Sequence, residues 1–457
     1  MKCLKRCGMA LASVLMLAAL LSGGALAAEI PAIVPPAPGI SVQLNGQVVP
    51  FTDAAPEVVD QRTFLPFRAV LEAMGAEVDY DAATSTVTAQ RNGVSLAMTL
   101  GEKQVKVTED GQTRTTEMDV AAYAKNNRTY VPVRFAAEAF GCSVGWDQDQ
   151  QTVIIVDADT LFGDASFTLM DRLAAYSAKH ESQNMTLSGK LTLDMEDKSG
   201  QELPQPIHVT GNAEGVMSDT GIQMTAAADL SALTALLPDD STKLVMEPFL
   251  SDLNVEVRAD LESEMLYLNG SIVALVVGGQ SADAWYSLDL SGLTAELLET
   301  MNVSGLSQLE GATVGDALKW AVKSVPLSST SDYAVLSQMV SIYVDMLSDQ
   351  AFTKEGNTYV AKSVLEDTVN VTVTLTEQGE DIVALDLVMT AAMEEDGMSM
   401  TMTMTEHAAP NEVNMDMGME MTYEGLGVKF HMDLSSLPTV KTPETVPPAG
   451  AQIIPMN

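Results

Sequence analysis

The chain has 457 residues, 24 Lys and Arg against 62 Asp and Glu, a formal net charge of −38, 46% hydrophobic residues and three cysteines. Such a charge is repelled by nucleic acid and by bare anionic lipid, so neither is an expected partner. The length implies at least two domains, and with Cys3 and Cys7 in the first seven residues and Cys142 alone thereafter, a disulfide-stapled scaffold is excluded.

The first element, MKCLKRCGMALASVLMLAALLSGGALAAE, has basic residues ahead of an apolar run and ends at Ala25-Leu26-Ala27, which predicts a signal peptide over 1–27. The apolar run from Met9 to Leu21 is shorter than the roughly 20 residues of a spanning helix. The expected product is a secreted, extracytoplasmic chain with no transmembrane segment after cleavage. A Pro-rich leader is expected over 28–39. ISVQLNGQVVPF then reads as two short strands about Asn45-Gly46.

The next feature is written twice: RTFLPFRAVLEAMGAEVDYD from Arg62, and RTYVPVRFAAEAFGCSVGWD from Arg128. Pro66 and Pro132 mark helix starts, and Gly75 and Gly141 mark helix stops. Phe67, Val70, Leu71 and Met74 form one apolar face, matched in the second copy by Val133, Ala136 and Phe140. Each helix is followed by a strand, an Asp-initiated turn (Asp81, Asp147) and a second strand. Arg68 with Glu72 and Arg134 with Glu138 stand four apart and can pair on the helix surface. The two arginines are also the interaction candidates of the repeat, two cations for an anionic wall polymer or glycan. A unit of this size cannot close a core alone, so an internal repeat is expected to fold as a pair.

These two stretches resemble the copper amine oxidase-like N-terminal domain, also known as the stalk domain, over 40–157. The resemblance implies an α+β domain of antiparallel sheet wrapped on helix, without enzymatic activity. The amine oxidase's copper ligands and quinone-forming tyrosine belong to a separate catalytic domain. This chain has neither a His-x-His pair nor an Asn-Tyr-Asp/Glu triplet.

From Thr160 the reading is a linking helix, FTLMDRLAAYSAKHE, and then a β-rich domain over 160–437 built of long alternating strands. Helices interrupt it at TVGDALKWAVKSV and SDYAVLSQMVSIYVDMLSD, the second with Ser331 as N-cap and a stripe of Val335, Met339 and Ile342. MLYLNG and AWYSLDL read as a strand pair followed by the helical SGLTAELLETM. This pattern resembles the lipoprotein-carrier shells related to LolA and to mycobacterial LppX. The fold class is therefore α+β, a duplicated small module followed by a large antiparallel sheet with a few helices across it. A Pro-rich tail is expected over 438–457.

Methionines stand at Met398, Met400, Met402 and Met404, and again at Met415, Met417, Met419 and Met421. On two adjacent strands all eight share a face, where thioethers serve as core filler, as the lining of a ligand cavity or, with His407 or His431 nearby, as ligands for Cu(I). Core and cavity rank ahead of copper, and no resident metal or cofactor is expected. The four histidines lack ligand spacing, no Gly-x-Ser-x-Gly elbow is present, and Cys142 occupies the place of Ala76 in the first copy. The expectation is a non-catalytic envelope protein whose stalk-like module docks on a wall or envelope component and whose β-rich domain holds an apolar small molecule or lipid. The competing expectation is a structural or adhesive surface protein with a filled core and protein partners only.

Overall fold

The computed structural model describes residues 39–456, apart from 53, 60–61, 110, 181, 199–202, 204, 219, 238–241, 245–246, 248–249, 251–252, 272, 274–282, 291–311, 366–367 and 396. The expected signal peptide, the expected leader up to residue 38 and the helix expected at SGLTAELLETM therefore lie outside the described residues. Within them the chain forms two compact units, one of 39–165 with 315–344, the other of 166–314 with 345–456.

In the first unit, β1 (Ser41–Leu44) and β2 (Gln47–Val48) form the expected hairpin, with Asn45 and Gly46 both at positive φ. After β3 (Glu57–Val59), the first copy folds as β4 (Arg62–Pro66), α1 (Phe67–Ala73), β5 (Glu77–Asp81) and β6 (Thr86–Arg91). The strands β7 (Val94–Thr99), β8 (Gln104–Glu109), β9 (Gln112–Glu117) and β10 (Tyr123–Lys125) lead to the second copy. This is β11 (Arg128–Pro132), α2 (Val133–Glu138), β12 (Ser143–Asp147) and β13 (Thr152–Val156), followed by the short helix α3 (Ala158–Phe162). Pro66 and Pro132 end their strands in extended conformation one residue ahead of the helix, rather than inside its first turn. Gly75 and Gly141 stop the helices at φ 81° and 75°, where a side chain would be strained.

The copies meet through β4 and β11, which pair antiparallel with Leu65 opposite Val131. Those two residues are equivalent positions of the repeat, so the copies face each other across a local two-fold. Their apolar stripes enter one buried cluster that includes Leu65, Phe67, Leu71, Val131 and Ala136. The copies then diverge. The β5–β6 hairpin grows into a five-stranded sheet ending at β9, whereas β12–β13 is completed by β1, laid parallel to β13, and by β2.

The same unit takes in residues 315–344, which include most of two helices, α5 (Val314–Ser324) and α6 (Thr330–Leu347). The sequence reading laid both helices across the β-rich domain, and the structure places these residues with the repeat instead. The second copy shows why. Gly145 replaces Asp79 of the first copy, and a Cβ there would meet the Leu327 carbonyl oxygen at 2.4 Å. Asp147 is 4% exposed and accepts from the backbone N–H groups of Asp149, Gln150 and Thr330, the last at 2.9 Å. Its counterpart Asp81 is exposed and serves only its own turn, accepting from Ala83 and Thr84. Ser329, not Ser331, caps α6: its hydroxyl accepts from the Asp332 N–H while Asp332 accepts from the Ser329 N–H, a capping box. The buried stripe is Tyr333, Leu336, Val340 and Tyr343, and Val335 is 45% exposed. A helix apolar on most of its circumference leaves the phase of its buried face open in the sequence.

Among the described residues, the second unit is built on one sheet of fourteen strands. From one edge it runs β20 (Thr353–Glu355), β21 (Thr358–Leu365), β22 (Val369–Gln378), β23 (Asp381–Glu395), β24 (Met398–Ala409), β25 (Glu412–Tyr423) and β26 (Leu426–Pro438). It continues through β14 (Met185–Asp197), β15 (Ile207–Met217), β16 (Gly221–Asp229), β17 (Leu253–Asp260), β18 (Met265–Asn269) and β19 (Trp285–Asp289) to β27 (Ile453–Pro455). Every pairing is antiparallel except β19 with β27. Helix α4 (Thr168–His180) packs on β23, and Arg172 bonds Glu377 at 2.8 Å. Arg172 first, with Lys354, holds the Glu377 carboxyl down at about 2.

The tail beyond Pro438 is ordered. Arg258, 6% exposed at its side chain, pairs with Glu256 and Glu444, donates to the Val446 carbonyl and lies over the Trp285 ring at 4.9 Å. Thr445 packs against Gly221, and the chain ends as the edge strand β27. The contacts that hold this Pro-rich tail come from strands far away in sequence.

Burial disfavours a charge on Asp147, but the amides of Gln150, Thr330 and Asp149 outweigh it and hold the carboxyl below its ordinary range. A carboxylate of this kind contributes stability above its unfolded pKa and loses it as pH falls. Asp147→Asn is expected to destabilise the protein by about 1 kcal/mol at pH 7, with the difference from wild type shrinking below about pH 4. Asp81→Asn should cost less. Urea unfolding at several pH values reads both.

Candidate functional site

The eight methionines fall on one face, in register. Met400 lies opposite Met421, Met402 opposite Met419 and Met404 opposite Met417. The rows continue sideways, with Met389 opposite Met404 on β23 and Met432 opposite Met417 on β26. The face then passes onto β14 and β15 through Leu191, Leu193, Met195, Val209 and Ile207. One strip of apolar side chains thus crosses seven strands from β22.

Its burial is graded. Met389 and Met404 are 1% and 2% exposed, as a core would be, whereas Met398, Met400, Met402, Met415, Met417, Met419 and Met421 are only half-buried. Two polar groups that the sequence reading passed over share this face. Glu406, 5% exposed, stands two residues after Met404 and opposite Met415 and Leu387. Ser436, also 5% exposed, lies opposite Val413, and its hydroxyl has no hydrogen-bond partner among the described residues. Both follow the period of two inward, a signal present in the sequence once the strand phase is known.

The opposite face is polar and carries three of the four histidines, each beside an aspartate of a neighbouring strand. His208 lies 2.5 Å from Asp194, His407 2.7 Å from Asp386 and His431 3.3 Å from Asp416. Gly418 leaves a gap in the row between Thr403 and His431, an open depression of about 320 Å³. Among the described residues no group of three or more His, Cys, Asp or Glu is placed to hold a metal ion. No described helix is long and apolar enough to cross a membrane.

In the repeat unit Arg68 reaches Glu72 at 3.3 Å and Arg134 reaches Glu138 at 3.7 Å, each pair exposed on its helix. Besides Asp147, the module buries an ion pair: Arg91 pairs with Asp157, their side chains 8% and 4% exposed. Asp157 also accepts the Thr160 hydroxyl at 2.7 Å, and Asn45 bonds its backbone N–H and carbonyl. Cys142 is buried beside Arg91; burial first, with the Asp157 charge, pushes its thiol up to about 12. A thiol held neutral in this way is no nucleophile. Peptide mapping should find Cys142 unmodified by iodoacetamide at pH 8 in the folded chain and modified once it is unfolded, and Cys142→Ala should be tolerated, as Ala76 is in the other copy.

No curated protein sequence matches the chain. Among solved structures, Neisserial surface protein A is 4% identical, with 56% of this chain and 98% of that chain covered at a TM-score of 0.13. Ail, the attachment invasion locus protein of Yersinia pestis, gives 7% identity, and 6% in complex with the heparin analogue sucrose octasulfate, with the same coverage and TM-score. A TM-score of 0.13 says nothing about the fold of this chain. The match that bears on the repeat is one of sequence: residues 43–155 match the copper amine oxidase N-terminal domain family.

Proposed function

We propose that this is a secreted, non-catalytic envelope protein in which the stalk-type module serves docking and the fourteen-stranded sheet holds an apolar ligand, a lipid or lipopeptide, on its methionine face. The observation that supports the reading is the grading of that face. A filled core buries its methionines uniformly, whereas here Met389 and Met404 are closed off and the other methionines named on the strip, Met432 and Met195 included, stay half-buried. Unbranched thioether side chains adapt to acyl chains of varied shape. Ser436 adds a buried hydroxyl for a ligand's polar end to complete. A non-catalytic role accords with the inert Cys142 and with the family of the module, whose own docking partner is proposed to be an anionic wall or envelope component met by Arg68 and Arg134.

Native mass spectrometry of the purified chain, before and after solvent extraction, tests the ligand. The expected result is extra mass of lipid size that extraction removes and that added lipid restores. A bare mass, unchanged when phospholipid is offered, would instead favour a structural or adhesive protein with protein partners only.

A further inference from the structure

On the polar face of the sheet, Gly418 stands in the interior of β25, where a glycine weakens a strand because it must order a freer backbone and offers no side chain to pack. Its backbone is that of an ordinary strand, outside the left-handed region in which glycine is needed. Among the described residues, a Cβ there would meet only the Thr403 hydroxyl, at 3.2 Å, an end group that a small side-chain rotation moves aside. The other outward positions of the strand carry Asn414, Asp416, Glu420 and Thr422. A bare position inside a well-paired strand marks a place where something approaches the backbone closely.

The depression over Gly418 does not stand alone. A second, of about 410 Å³, lies beside it on the same face, reaching from Asp386 and His407 to Asp416 and Asp433. The two share a wall, because Asp416 lines one and His431 lines the other, and these residues pair at 3.3 Å. Together they form a trough that follows β25 from Asn414 to Glu420, about 20 Å of strand.

The chemistry of the walls narrows the ligand. The three histidine–aspartate pairs and a Glu420–Lys429 pair, at 2.9 Å, hold outward carboxylates of the trough, and Asp433 stands opposite Lys190. A carboxylate oriented by one such bond still accepts at its remaining lone pairs, and the threonine hydroxyls on β24 both donate and accept. An anionic polymer is repelled by the excess of carboxylates, and carboxylates already bonded to bases give up those bonds before they serve a polycation. What fits is a ligand with many donors and acceptors and no net charge.

We propose that this trough binds an extended, uncharged glycan, with one ring seated over Gly418 and the His431–Asp416 and Glu420–Lys429 pairs bonding its hydroxyls. The site lies on the face opposite the methionines, so it does not depend on the lipid reading.

Titration calorimetry of the full chain with a cellulose-type, a chitin-type and a sulfated hexasaccharide tests it. Saturable binding of a neutral oligosaccharide is expected, with the sulfated one excluded. Gly418→Thr should weaken binding about tenfold or more, while its urea midpoint holds or rises, because a threonine there pairs with Thr403 across the strands. Lys429→Gln should weaken binding about fivefold, and Glu214→Gln, exposed on β15 away from the trough, should leave it intact. Lipid uptake by Gly418→Thr should equal that of the wild type. The proposal is overturned if neither neutral oligosaccharide binds, if the sulfated one binds more tightly, or if Gly418→Thr binds as well as the wild type. A fall in the urea midpoint of Gly418→Thr would give the glycine a structural role and overturn it too.

Discussion

A sheet of this width depends on the phase of its strands. From β23 to β15 the antiparallel registers run without a slip, so Met400, Met402 and Met404 face Met421, Met419 and Met417, while Thr403 faces Thr390 on the other side of the sheet. One inserted residue in β25 would turn four methionines toward the polar face and set Asp416 and Glu420 among thioethers. The irregularity recorded within the sheet, between Thr376 and Glu377, lies close to the β22–β23 turn, where a shift displaces few side chains. Phase therefore keeps Glu406 and Ser436 inside and the three histidine–aspartate pairs outside.

The repeat unit is governed by a different constraint, the need for two half-cores to close one another. Leu65 opposite Val131 is where that happens, and up to that pair the copies are folded alike. Beyond it, the first copy extends its own sheet while the second receives a segment from about 170 residues later in the chain. Accommodating that segment accounts for the copies' divergence: Gly145 for Asp79 makes room, and Asp147 trades solvent for the amide of Thr330. The buried Arg91–Asp157 pair, bonded also to Thr160, adds a polar anchor that neither copy holds alone.

Much of this was legible in the sequence. Period-two runs gave away β14, β17, β18, β22, β23, β24 and β25, and Asn-Gly marked the first hairpin, because both signals are local. The facing of the two methionine rows followed from their shared period of two on adjacent strands. What stayed hidden depends on partners distant in sequence. The destination of residues 315–344 turns on a capping contact to Asp147, and the order of the tail turns on Arg258 and Trp285. The phase of α6 was obscured by its wealth of apolar residues, and Glu406 by its charge, which ordinarily marks a solvent-facing position.

The sheet's strand order also bears on how the protein comes to be folded. It consists of two meanders, β14 to β19 and β20 to β26, each built from neighbours in sequence, and β14 joins them by pairing with β26 along its full length. That seam brings Met185 to Pro438, so it closes a loop of about 250 residues, and such closure is slow relative to hairpin formation. Until it closes, both meanders present an unpaired edge, and one of them, β26, carries Val428, Phe430 and Met432 on a single face. A chaperone that keeps these two edges apart from other chains would decide the yield of the folded protein more than its final stability does.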